Sequence, residues 1–233
     1  GNCESAIHDA LESIKIDAKF LEGYICAINS FINLGKLVQA NFYITMMKEN
    51  IDEKEYENFD GFFKLKSLAR LHKLIEESLV KENYKECFEH LEKAYEIATS
   101  CKQYEFWMAE CQIKMKSYAK AELFIAKHPR EAYAVYLKGL IAFSSRDYEE
   151  SIERFQEALK LDPGLKKALH YKNQAIGLQK EQSFVETSNL TDKANDLNEK
   201  GNIYFKSNNY FLAVRYYSDA IQLCPQVVKY YTN

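Results

Sequence analysis

His72 and Glu76 stand four residues apart, the spacing that brings an imidazole and a carboxylate together on one face of a helix. Such a pair could begin a metal site or act as an acid–base couple, given a third ligand or a nucleophile beside it. The sequence supplies neither. The other histidines, His8, His90, His128 and His170, are scattered, and Glu76-Glu77 and Glu149-Glu150 read as surface charge. Cys3, Cys26, Cys87, Cys101, Cys111 and Cys224 form no Cys-x-x-Cys motif and no zinc-finger spacing with His. No Gly-rich phosphate loop occurs. The expectation is a chain with no catalytic residues, no metal site and no cofactor. Its cysteines read as reduced thiols in cytosol or nucleus.

The elements that must position any site are set by a repeat. Leu197, Gly201, Tyr204, Ala213, Tyr217, Ala220 and Pro225 define a unit over 194–227. Small, aromatic and apolar residues recur upstream with a period of about 34 residues, the mark of stacked helical hairpins. In each unit, helix A carries its stripe at positions four, seven, eight and eleven; helix B carries small, bulky and small residues at twenty, twenty-four and twenty-seven. The unit 132–165 fits with Val135, Gly139, Ala142, Ser151, Phe155, Ala158 and Pro163. The unit 68–101 offers Leu71, Leu74, Ile75, Cys87, Leu91 and Ala94; the unit 21–54 offers Tyr24, Ala27, Ile28, Phe31, Ala40, Ile44 and Met47. The unit 102–131 keeps Met108, Ala109, Ala121 and Ile125, but His128-Pro129 ends its second helix early. Glycine at position eight costs roughly 1 kcal/mol in a helix, which suggests close approach of a neighbouring helix backbone.

Composition agrees. Only 3 Pro and 8 Gly are too few to punctuate a many-stranded β fold, whereas 17 Tyr and 14 Phe suit helix packing. The net charge of −3, with both signs interspersed, argues against a nucleic-acid partner. No apolar run is long enough to span a membrane. The organisation expected is a partial and a full repeat over 1–54, an insert over 55–67, three repeats and a capping helix over 68–182, a polar linker over 183–193, and a full repeat plus a stub over 194–233. Gly1 reads as an internal start. The two ends read as complementary pieces of one repeat, through chance, a cut across an array, a permuted order of segments, or pairing between chains in self-association.

These units resemble tetratricopeptide repeats. The order of units further resembles the J-domain cochaperones, through Ala6-Ile7-His8-Asp9-Ala10, through Tyr118-Ala119-Lys120-Ala121-Glu122 with Ala132 to Leu140, and through Ile152 to Leu159. The resemblance implies an all-α, right-handed superhelix of antiparallel helix pairs (an α-solenoid). It implies a non-catalytic scaffold that binds the C-terminal tail of Hsp70 or Hsp90 or other protein segments. No His-Pro-Asp triplet is present, so this stretch alone is not expected to stimulate an Hsp70 ATPase. Two alternatives stay open: an adaptor for another partner, as in transport or ubiquitin-pathway assemblies, and the regulatory arm of an enzyme.

Two sites follow. The family's peptide-carboxylate clamp maps onto Asn198, Asn202, Lys206 and Asn233. It is degenerate, because Asn198 stands where Lys is usual and, if the stub after 227 joins the opening fragment so that 21–54 is the third repeat, Glu22 and Cys26 stand where basic residues are usual. The second site is a hydrophobic groove. Positions two, five, nine and twelve of helix A lie outside the packing stripe, yet they include Phe106, Ile113, Tyr133, Tyr136, Leu140 and Phe143. An apolar face that the repeat core does not need could hold a peptide or be covered by internal packing.

Overall fold

The computed structural model describes residues 3–232. The chain divides into two compact units, Gly1–Leu169 and His170–Asn233. The first contains α1 (Cys3–Ile16), α2 (Leu21–Asn33), α3 (Leu37–Asn50), the one-turn α4 (Glu53–Tyr56), α5 (Gly61–Val80), α6 (Tyr84–Ile97), α7 (Lys102–Lys114), α8 (Tyr118–Ile125), α9 (Ala132–Ser144) and α10 (Tyr148–Leu161). Helix α11 (Lys166–Lys206) starts there and continues in the second unit, followed by α12 (Tyr210–Leu223) and a 3-10 turn, Val228–Tyr231. Among the described residues there is no β-strand.

In the first unit α2 packs on α3, α5 on α6, α7 on α8 and α9 on α10. Each pair closes over the residues that the repeat pattern marks. In α9 and α10 these are Val135, Gly139, Ala142, Ser151, Phe155 and Ala158, all buried. Burying one such Phe stabilises by about 2–3 kcal/mol. Gly139 makes room for a ring rather than for a neighbouring backbone, which corrects the expectation: a Cβ there would lie 2.6 Å from Phe155 Cε1. Gly201 does the same in the second unit, where a Cβ would lie 2.5 Å from Tyr217. The aromatic residue at position twenty-four therefore sets the glycine at position eight.

The turn between helix A and helix B has one geometry in five pairs. The residue at Gly35, Glu82, Lys116, Arg146 or Asn208 has φ between 54° and 70°. The amide of the next residue donates to a carbonyl five residues back, at 2.8–3.0 Å. This is the Schellman C-cap. The side chains of Asn83, Asp147 and Asn209 then accept from Glu86, Glu150 and Leu212 amides and start helix B.

Residues 61–67 of the insert lengthen α5, while Phe59 and Phe62 pack on the first unit's core. Helix α8 has 8 residues, whereas α3, α6, α10 and α12 have 14. Residues 183–193 differ from the polar linker expected: they lie inside α11. No Gly or Pro occurs from Leu178 to Lys200, and hydroxyls of Thr187 and Thr191 bond back to carbonyls of Ser183 and Thr187 at 2.8 and 2.9 Å. These polar residues are thus satisfied within the helix rather than drawn into a loop.

Candidate functional site

The apolar face of α7 and α9 is built from residues that the packing stripe leaves over, and the structure closes it. Phe106, Ile113, Tyr136 and Leu140 are buried, while Tyr133 and Phe143 are half-buried. Ring packing is the cause. Phe106 lies against His128 and Tyr133, with centroids 5.4 and 5.3 Å apart. Tyr133 meets Tyr136 at 5.1 Å, and Tyr136 meets Phe155 at 5.9 Å. Phe143 packs edge-on against Tyr148. The six residues form a row of tilted and edge-on rings with aliphatic neighbours, not an open groove. What a ligand could meet there is the outer part of Tyr133 and Phe143.

Two carboxylates on α7 bond to groups beside that row. Glu105 is buried and accepts from Tyr95 Oη at 2.8 Å, Lys127 Nζ at 2.5 Å and His128 Nε2 at 2.5 Å. Burial alone would raise its carboxyl; the bonds from Lys127, His128 and Tyr95 outweigh burial and hold it below the usual carboxylate range. Burial, then the bond to Glu105, pushes the Tyr95 phenol up to about 12. Glu110, five residues on, accepts from Tyr133 Oη at 2.7 Å and from Lys167 Nζ at 3.0 Å on both oxygens. Burial, reinforced by Glu110, raises the Tyr133 phenol. Sequence reasoning missed both clusters because their partners lie 10 to 57 residues away.

The His72–Glu76 pair has a structural role. His72 bonds Tyr104 Oη through its Nε2 and packs edge-on against Trp107. Burial lowers its pKa, partly offset by Glu76. Among the described residues no group of three or more His, Cys, Asp or Glu could hold a metal ion. The six cysteines are free thiols, and Cys87 fills the small position twenty of its repeat.

The clamp residues lie on α11 and can be followed up to Lys206; Asn233 lies outside the described residues. Asn198, Asn202 and Lys206 fall at intervals of four on one helix face. Asn198 is only 2% exposed. Asn202 is half-buried, and its Oδ1 accepts from Tyr217 Oη at 2.8 Å, so the amide NH2 is the end available to a ligand. Lys206 is exposed. Asn195, which sequence reasoning passed over, extends the row by one turn. Its Oδ1 accepts from Tyr230 Oη at 2.9 Å and Lys229 Nζ at 3.2 Å. The result is a row of three amides, the middle one sealed, with the ammonium groups of Lys206 and Lys229 near its two ends. Among the described residues no helix is long and apolar enough to cross a membrane.

Comparison with known proteins fits this architecture. Tetratricopeptide repeat family models match residues 132–165 and 197–227. DnaJ homolog subfamily C member 7 of Mus musculus and of Homo sapiens is 24% identical over 98% of this chain, which spans 44% of either relative. Hsp70-Hsp90 organizing protein 3 of Arabidopsis thaliana is 32% identical over 64% of this chain and 23% of its own length. In fold, the solved TPR domain of P58(IPK) is similar with a TM-score of 0.56 and 21% identity, covering 97% of this chain and 60% of that one. Helix pairs, glycine–ring contacts and matches to two separate repeats lead to one statement: the chain is a tetratricopeptide repeat protein, distantly similar to DnaJ homolog subfamily C member 7 and to Hsp70-Hsp90 organizing proteins.

Proposed function

We propose that this chain is a non-catalytic adaptor region whose second unit binds the acidic C-terminal tail of an Hsp70 or Hsp90 chaperone, as part of a J-domain cochaperone. The observation that supports the reading is the placement of half-buried Asn195 and Asn202 and exposed Lys206 along α11. Tyr217 donates to the Asn202 oxygen, which leaves the amide hydrogens to donate to a carboxylate. The names of the relatives support the choice of partner.

Titration calorimetry with a peptide ending in acidic residues tests it. Binding in the micromolar range or weaker is expected, with loss on amidating the peptide's carboxylate. Equal affinity for the two forms rules the reading out. The 2% exposure of Asn198 favours a second reading, in which the same scaffold serves a different protein partner. Binding that ignores the free carboxylate would point there.

A further inference from the structure

The hairpin of α5 and α6 holds a cavity of about 510 Å3, a size that suits a small molecule. Its floor is apolar: Leu71 and Leu74 from α5 and Ile97 from α6 are half-buried there. Arg70 of α5 and Lys93 of α6 line it too, and both are exposed. His90, three residues before Lys93 on the same face of α6, brings its imidazole to the same wall. We propose that this cavity binds a small organic phosphate, with the phosphoryl group held by Arg70, Lys93 and His90 and an apolar body lying on Leu71, Leu74 and Ile97.

Three observations carry this. First, His90 lacks a partner. Both its ring nitrogens are buried, and neither is hydrogen-bonded. Glu86 Oε1, at 3.6 Å from Nε2, is beyond bonding reach. His72 and His128, by contrast, bond Tyr104 and Glu105. A buried polar atom left unpaired is costly. The His90 side chain is 14% exposed, and that exposure falls on carbon, since both nitrogens are covered. A half-turn of the ring exchanges carbons and nitrogens with no bond to lose, and so presents a donor to the cavity. Second, the two cations are unengaged. Among the described residues no carboxylate pairs with Arg70 or Lys93. In the cavity beside α9 and α10, Arg154 is already tied to Glu150 and Glu157. Glu96 is the one carboxylate lining the α5–α6 cavity, and it is exposed to water. Third, the charges match. A phosphate monoester carries about −1.5 to −2 charge at neutral pH on three acceptor oxygens. Two cations and an imidazole N–H satisfy it, whereas a carboxylate leaves one cation unpaired. A floor bounded by a single hairpin favours a small molecule over a protein segment. The site is separate from the α11 row of the second unit.

Nuclear magnetic resonance of the five histidine rings tests this. Phenyl phosphate is titrated into the full chain, and the His90 signal is identified by its loss in His90→Gln. That signal should shift with a Kd in the low-millimolar range. Benzoate and inorganic phosphate should bind roughly fivefold more weakly, because the first lacks the third oxygen and the second lacks the apolar body. Arg70→Ala and Lys93→Ala should each weaken phenyl phosphate binding roughly fivefold. Both side chains are exposed and unbonded, so these variants keep the fold, which circular dichroism verifies. Asn202→Ala should leave the affinity unchanged, so that this site and the α11 row stand or fail separately. An unmoved His90 signal, equal affinity for benzoate or for inorganic phosphate, or unaltered binding in both cation variants overturns the proposal. A phosphotyrosine peptide that binds more tightly than phenyl phosphate makes the occupant a protein segment and overturns the small-molecule assignment.

Discussion

The repeats 102–131 and 132–165 are neighbours built on one plan, and they are held together by different forces. In the second, position four is Val135, position twenty-four is Phe155 and position twenty-seven is Ala158, all buried. In the first, those positions are Glu105, Ile125 and His128. A buried carboxylate and an imidazole, bonded to each other at 2.5 Å, stand where the neighbour has an apolar contact. A charge in that place costs several kcal/mol of desolvation unless donors surround it, and Tyr95, Lys127 and His128 do so. Lys127 and His128 reach Glu105 from the loop after α8, so the helix must end at Ile125 for the cluster to form. The difference shows that a tetratricopeptide repeat accepts a polar core position where its own chain can satisfy it, and that helix length is what gives way.

Breaking the polar side should have the largest effect. Glu105→Ala leaves three donors without their acceptor and is expected to cost about 3 kcal/mol in urea unfolding. Glu105→Leu with His128→Ala, which copies the apolar neighbour, should recover most of that loss. A cost for Glu105→Ala under 1 kcal/mol would mean the cluster is only a surface tie. On the apolar side, Gly139→Ala forces a methyl to 2.6 Å from the Phe155 ring. Overpacking of about 2–3 kcal/mol, less roughly 1 kcal/mol of helix propensity, predicts a net loss of about 1–2 kcal/mol. Phe155→Leu in the same chain should relieve it. Additive losses in that pair would show that ring and glycine are not coupled.

The sequence made the hairpins legible because helix A and helix B announce themselves by spacing, and the ring–glycine pairs fall at fixed positions within one repeat. The candidate sites were less legible. Positions two, five, nine and twelve of α7 and α9 read as an apolar face, but whether Phe106 and Tyr136 stay open depends on His128 and Phe155, which come from other helices and loops. Glu105 was passed over because a carboxylate at position four looks like a defect until Lys127 and His128 fold back on it. The helix through 183–193 was missed because a run of Ser, Thr and Asn reads as a loop unless its hydroxyls bond within the helix.

Acid should separate the two repeats more gently. The Glu105 carboxyl is held below its usual value of 4.5 in the folded chain. Its bonds therefore add stability above about pH 4.5, and this contribution is lost as pH falls below that value, because the unfolded chain then takes up the proton first. The urea midpoint should drop more steeply below pH 4.5 for the unaltered chain than for Glu105→Gln. Parallel curves would assign acid sensitivity to other carboxylates.

The smallest expected effect lies in what the two repeats share, the Schellman turn. Lys116 ends helix A of one and Arg146 ends helix A of the other, with φ of 59° and 63°. A side chain in that region costs about 1 kcal/mol, and glycine avoids the clash but loses more entropy on ordering. Lys116→Gly and Arg146→Gly should each stabilise by about 0.5 kcal/mol, and by equal amounts, since the backbone geometry is the same. Gly35→Ala should destabilise, because its φ is 70° and a Cβ would lie 2.6 Å from Cys101 Sγ. Unequal gains at Lys116 and Arg146 would mean that the polar cluster strains its own turn, and that the two repeats differ in backbone as well as in core. Equal gains would confine the difference between them to Glu105 and the loop that reaches it.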